Sequence, residues 1–498
     1  MKRRLLALVM ALALCIGLLT VSALAAEEEA PDAAAEVSFE EDLAVRLRTV
    51  GLFLGVGETP DGGVDFALDR APTRAEALTM LVRSLGKEDE ALAMETTHPF
   101  TDVPAWADGY VSYAYSAGLT KGVAATLFDP DSPASAEMYL TFMLRALGYP
   151  EGETGAFAWD SPWAMAAECQ ILPVRVDRDN FLRSDVVEVT AAALFACCAG
   201  TEDTLADRLI ADGAVDELLF QSVFADDPFE DYHQMDEAVS AVIEERQPQP
   251  EKNQYIKNYH IILDAVAEDD GTIAASVLVC SFDAKLLPNS AVGTQGTGTG
   301  LWAMTIDPVT MTCTDSLMPN EWSESGTPAD YFTERALKDQ DRCGKGFAQL
   351  AYWELTAAMA NGGAVYQPLS YDEAMTVVTT QYLNQVDKTL EAGPCTVVAG
   401  WLNGTPHGSI AGIYLVYKAG SERNEGTIVQ LPLPIENYMG KTSLPETMTL
   451  SDDGLTLTYA YTYDEALNGE DGVVLHPAGT ITYTTNLVTG ETTQTVAN

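Results

Sequence analysis

Three segments in the first 200 residues repeat one pattern, and a repeat fixes an architecture before any single element does. The first ends in Ala71-Pro72-Thr73-Arg74-Ala75-Glu76, a helical run from Ala77 to Leu85, and Gly86. The second runs from Pro99-Phe100-Thr101-Asp102 through Trp106, Tyr110, Gly118-Leu119-Thr120-Lys121-Gly122 and Phe128 to Arg145-Ala146-Leu147-Gly148. The third is looser: Phe157, Asp160, Trp163, Ile171-Leu172, then Leu182-Arg183-Ser184-Asp185-Val186-Val187. A period of roughly 50 to 60 residues marks a unit that buries its apolar face against its neighbours.

The first repeat holds the most explicit local chemistry. Ala77, Leu78, Met80, Leu81 and Leu85 form a helical apolar stripe. Thr73 is placed to cap that helix, and Glu76 completes a capping box. Arg74 falls in the first turn, where the helix dipole disfavours a cation. Two readings follow: a surface arginine paired with an acid, or an anion site made by Arg74 and the helix N-terminus.

These repeats resemble S-layer homology (SLH) modules, which carry Thr-Arg-Ala-Glu at this position. The resemblance covers about a third of the chain. It implies an all-α, pseudo-threefold body whose grooves take the acidic, often pyruvylated, end of a secondary cell-wall polysaccharide, with the motif arginine in contact. Thr73-Arg74-Ala75-Glu76 matches fully, whereas Leu182-Arg183-Ser184-Asp185 keeps the arginine and an acid but loses the threonine. The second repeat offers Ser135-Ala136-Glu137-Met138, a cap without an arginine. The resemblance therefore places polysaccharide contacts at Arg74, Thr73 and Glu76 and at Arg183 and Asp185, and leaves the middle repeat as scaffold. Phe100, Trp106, Tyr110, Tyr113 and Phe128 read as packing aromatics; stacking of Trp106 or Trp163 on a sugar is the alternative. Asp102 reads as a turn cap, and Gly118 and Gly122 as tight-turn residues.

Residues 1–25 read as a secretion signal: Lys2, Arg3 and Arg4, an apolar run from Leu5 to Leu19, and Ala23-Leu24-Ala25 for cleavage. An uncleaved membrane anchor is the alternative, since Leu5 to Ala25 is long enough to span a bilayer. With cleavage, no stable membrane insertion is expected, and the chain belongs outside the cell, at the wall or S-layer surface. The net charge of −47 repels nucleic acid, which excludes it as a partner. Cleavage would also remove Cys15, leaving Cys169, Cys197, Cys198, Cys280, Cys313, Cys343 and Cys395. None shows the C-x-x-C spacing of a zinc or redox site. Cys197-Cys198 reads as a buried pair, and Cys280 and Cys313 as a possible disulfide.

The expected layout is a stalk at 26–36, three repeats at 37–200 (37–88, 97–149 and 157–200), a helix and polar linker at 201–254, and an α+β domain rich in antiparallel strands at 255–498. Within that last domain, Asp269-Asp270-Gly271 signals a hairpin. Phe347–Met359 and Tyr371–Glu391 read as helices, and Gly293–Gly300 as a mobile hairpin loop. Tyr459, Tyr461 and Tyr463 alternate with threonines, as a half-buried strand requires. The sequence calls for no cofactor or metal. His407 and Ser409 do not fit a serine-hydrolase elbow, and Asn403-Gly404-Thr405 reads as a turn. Non-enzymatic anchoring, with an outward structural or interaction domain, is the first reading. Its rivals are a wall-tethered hydrolase and a glycan- or peptide-binding module using the tyrosine strands.

Overall fold

A computed structural model of the chain describes residues 37–60, 62–247, 250–287, 291–402, 411–433, 444–463, 466–467, 474–476 and 479–497. The expected signal (1–25), the stalk (26–36), His407, Ser409 and the Asn403 motif lie outside those residues. The chain divides into two compact units. One comprises the described residues up to Tyr139, with Val176–Phe195 and Asp203–Pro228. The other comprises Leu140–Arg175, Ala196–Glu202 and everything from Phe229 onward. No helix among the described residues is long and apolar enough to cross a membrane.

The first unit is built on the helix Arg183–Phe195. Nearly every one of its residues is buried, the pattern of a central helix. Helix Phe39–Thr49 turns Leu43, Ala44 and Leu47 inward. Helix Arg74–Ser84 buries Ala75, Ala77, Leu78, Met80, Leu81 and Val82. Tyr139 bonds to Thr190 inside the same core, hydroxyl to hydroxyl at 2.7 Å. The unit is not purely helical: β1 (Gly57–Glu58) and β2 (Val64–Asp65) form a two-stranded ribbon. Its turn falls in the Pro- and Gly-rich stretch between them, where a helix would lose hydrogen bonds and gain backbone entropy cost. The one helix expected ahead of the linker in residues 201–254 is two, Leu205–Ala211 and Glu217–Val223. Asp212-Gly213 interrupts it and Asp216 recaps the chain, accepting from the Leu219 N–H at 2.8 Å.

The second unit holds the antiparallel sheets. Strands β3 (Gln254–Ala267), β4 (Ile273–Leu287), β5 (Ala291–Asp307) and β6 (Thr312–Leu317) form one sheet in chain order. Helix Glu230–Arg246, in the segment expected as a linker, seals one face: Met235, Val239 and Ile243 pack on Ile262, Val277, Val279 and Trp302. The other face meets helix Phe347–Ala360 through Tyr259 and Phe347. Gly293–Gly300 lies within β5 and is not a loop, because Gln295–Gly300 pair in register with Val279–Ala284 of β4.

Two further sheets stack. Strands β7 (Leu383–Glu391), β8 (Cys395–Leu402), β9 (Ala411–Tyr417) and β10 (Ile428–Gln430) form one. Strands β11 (Thr447–Leu450), β12 (Thr456–Tyr463), β15 (Gly479–Asn486) and β16 (Thr492–Ala497) form the other, and β13 (Ala466–Leu467) pairs with β14 (Val474–His476). Val397, Ile413 and Leu415 share a core with Leu457, Tyr459, Tyr461 and Tyr483. Tyr459 and Tyr483 stack at 5.0 Å. The alternation expected for β12 holds, but Tyr459 and Tyr461 are buried in this core and offer no exposed ring to a ligand. The expected helix Tyr371–Glu391 stops at Val377, passes through a π-helical turn at Val378–Tyr382 and becomes β7. The β-branched run Val377-Val378-Thr379-Thr380 weakens the helix there, and pairing with β8 takes over.

No disulfide joins the cysteines of the described residues. Cys280 on β4 and Cys313 on β6 are separated by β5. Two strand spacings, about 9.5 Å, exceed what a disulfide spans. Of the adjacent pair, Cys198 is buried and Cys197 exposed.

Candidate functional site

The motif arginines and their capping partners meet in the first unit. Thr73 Oγ1 accepts from the Glu76 N–H at 3.3 Å, and the Thr73 N–H donates to Glu76 Oε2 at 2.9 Å. The expected capping box is therefore complete. Glu76 also accepts both arms of Arg70, at 2.8 and 3.0 Å. Burial pushes the Glu76 carboxyl upward, but Arg70 and the Thr73 N–H outweigh it and hold the acid below its ordinary value. Arg70 was not singled out from sequence. Its position six residues before Glu76 is the signal, because the turn at Leu68–Arg70 brings it back to the helix start.

The N-terminus of helix Arg74–Ser84 is not an open anion hole. The Arg74 N–H donates to the Ser132 carbonyl at 2.8 Å, and the Ala75 N–H to the Pro130 carbonyl at 3.0 Å. The Arg74 guanidinium lies 5.0 Å over the Phe128 ring, a cation–π contact. Helix Arg183–Phe195 is seated the same way. The Arg183 N–H donates to the Arg70 carbonyl at 3.0 Å, and the Ser184 N–H to the Leu68 carbonyl at 3.1 Å. Leu68 and Arg70 stand in the lead-in of the first repeat where Pro130 and Ser132 stand in that of the second. Each motif helix thus rests on the lead-in of another repeat.

The two motif arginines differ in exposure. Arg183 and Asp185 are each only 4% exposed. Arg183 Nε donates to the Phe66 carbonyl at 2.8 Å, and its guanidinium lies 5.4 Å from the Phe53 ring. Burial pulls its pKa below the ordinary value. Asp185 accepts from the N–H groups of Leu182 at 2.6 Å and Asp177 at 2.8 Å, a cap on its own helix. The middle repeat keeps its cap without the arginine: the Met138 N–H donates to Ser135 Oγ at 3.3 Å.

Among the expected packing aromatics, Phe100, Tyr110 and Phe128 are buried and Trp163 is fully so, but Trp106 is 53% exposed. Asp102 caps as expected, accepting from the Phe128 and Asp129 N–H groups at 2.9 and 2.8 Å. Among the described residues no group of three His, Cys, Asp or Glu side chains could hold a metal.

The S-layer homology domain family matches residues 99–135. A cell surface protein of Thermoanaerobacter kivui is 36% identical over 130 residues, covering 26% of this chain and 16% of that protein. The middle cell wall protein of Brevibacillus brevis is 29% identical over 176 residues, covering 34% of this chain and 16% of that protein. A surface layer protein of Brevibacillus choshinensis is 32% identical over 114 residues, covering 22% of this chain and 10% of that protein. The chain thus spans 16% or less of the length of each of these relatives.

Proposed function

From the premise that the chain is an S-layer homology domain-containing protein of the bacterial cell surface, we propose that its repeats at 37–200 form a mainly helical, pseudo-threefold anchor. The anchor holds the protein non-covalently on a Gram-positive wall by binding an acidic, pyruvylated secondary cell-wall polysaccharide. The observation that carries this reading is the matched seating of the two motif helices, Arg74 and Ala75 on Ser132 and Pro130, Arg183 and Ser184 on Arg70 and Leu68. Each junction sets a motif arginine against aromatic packing. An acidic polymer end needs cations, and close contacts are set by local geometry rather than by the net charge. Arg70, beside Glu76, and Arg74, over Phe128, supply the guanidinium groups. Thr73, Glu76 and Asp185 fix the helix starts, and Arg183 supports the floor beneath them. The C-terminal region serves as the outward structural or interaction part.

The test is co-sedimentation of the full chain with purified sacculi, with and without their secondary polymer. Polymer-dependent retention, weakened about tenfold or more in Arg70→Ala/Arg74→Ala, is expected for the loss of charge-assisted hydrogen bonds. Retention indifferent to removal of the polymer overturns the ligand, and retention indifferent to the substitutions overturns the site.

A further inference from the structure

The second unit contains a cleft of about 520 Å³ where the 152–155 loop, helix Phe347–Ala360 and the glycine-rich half of β5 come together. Its volume is in the range of about 300–1,000 Å³ typical of small-ligand pockets. One wall carries Tyr352 and Trp353, and Phe282 lies at its base. Tyr352 is 49% exposed, a large ring left uncovered, whereas Phe282 is 2% exposed and fixed in the sheet.

The cleft is braced. Gln349 Nε2 donates to the Gly152 carbonyl at 2.7 Å and the Gly155 carbonyl at 3.1 Å, tying the loop to the helix. The floor has an open backbone edge. β6 pairs with β5 only between Ala303 and Asp307, so Gly296 and Thr297 have β4 as a strand neighbour on one side. No atom lies within 4 Å of where a Gly296 side chain would begin. The lining residues include Glu153 and no Lys or Arg.

The geometry points to a second saccharide site: a cleft for a neutral mono- or disaccharide, stacked on Tyr352 and Trp353 and hydrogen-bonded by Glu153, Thr297 and the free edge of β5. Aromatic faces take the C–H side of a sugar ring, while a carboxylate, a hydroxyl and backbone groups take its hydroxyls. With Glu153 among the lining residues and no Lys or Arg beside it, an anionic sugar is disfavoured. The site is independent of the acidic-polymer reading of the first unit.

The experiment is saturation-transfer NMR on the full chain with cellobiose, N,N′-diacetylchitobiose and glucuronic acid. Transfer from at least one neutral disaccharide is expected, with apparent affinity falling about fivefold in Tyr352→Ala and signal lost in Tyr352→Ala/Glu153→Ala. An unchanged melting temperature shows that these variants remain folded. Arg70→Ala/Arg74→Ala keeps the full signal, so failure of wall anchoring is distinguishable from failure of this cleft. No transfer from either disaccharide, or transfer undiminished in the double variant, overturns the proposal. Equal binding of glucuronic acid overturns its preference for neutral sugars.

Discussion

Arg183 gives its Nε–H to the carbonyl oxygen of Phe66, 117 residues away in sequence, at 2.8 Å. The side chain that makes this bond is buried, and the same guanidinium reaches Met80 Sδ at 3.2 Å. Truncating it leaves a buried carbonyl without its donor and opens a cavity beside Phe53. Arg183→Ala is therefore expected to cost about 3–5 kcal/mol, read as a drop in the first melting transition of the full chain. Arg74→Ala, whose side chain is only partly buried, should lower that transition far less. Loss of wall binding in Arg183→Ala alone would thus report unfolding, and the binding test belongs on Arg70 and Arg74.

Thr73 makes a narrower prediction. Its hydroxyl satisfies one N–H at the start of helix Arg74–Ser84. Thr73→Ala should cost about 1 kcal/mol, and Thr73→Ser close to nothing. Urea titration followed by far-ultraviolet circular dichroism measures both. An alanine variant as stable as the wild type would show that the Glu76 half of the box suffices.

What the sequence made legible here was local. The Thr73 and Glu76 capping box is contained in four residues, and the alternation of β12 in eight, so both could be read directly. The seating of Arg74 on Ser132 and of Arg183 on Arg70 joins residues far apart in the chain, and no local pattern encodes it. The resemblance puts Arg183 at a polysaccharide contact, yet Phe53, Phe66 and Met80 close over it. Gly293–Gly300 and Tyr371–Glu391 misled for a related reason. Glycine and threonine permit a loop, and Tyr371, Ala374 and Val378 begin a helical stripe, but strand partners β4 and β8 decide the outcome.

Glu76 gives a pH-dependent difference. Its folded carboxyl titrates below the ordinary value because Arg70 and the Thr73 N–H outweigh its burial. A depressed folded pKa contributes stability above the unfolded value, about pH 4.3, and that contribution is lost as pH falls through the folded value. Glu76→Gln keeps an acceptor for the cap but removes the ion pair with Arg70. It should be less stable than the wild type at pH 7, by under about 1 kcal/mol because the pair is partly exposed. The gap should shrink toward zero as pH falls below about 4. Comparing variant and wild type at each pH cancels the general effect of discharging so acidic a chain. A gap that widened toward acid would reverse the sign of the Glu76 contribution.

Gly118 and Gly122 test whether the family-matched segment supports Arg74. Both adopt left-handed backbone, with φ of +74° and +73°. A side chain at Gly118 would enter open space, so Gly118→Ala should cost only the conformational penalty of about 1–2 kcal/mol. A methyl at Gly122 would run into the Phe100 ring and come within 2.7 Å of the Leu127 carbonyl oxygen. Phe100 packs on Phe128 at 5.8 Å, and Phe128 lies under Arg74. Gly122→Ala should therefore lower the melting temperature more than Gly118→Ala. In whatever fraction stays folded, it should also weaken polymer-dependent retention on sacculi by displacing the ring that holds the Arg74 guanidinium. Gly118→Ala should leave retention unchanged. Equal retention by both folded variants would disconnect the Phe100–Phe128 stack from binding.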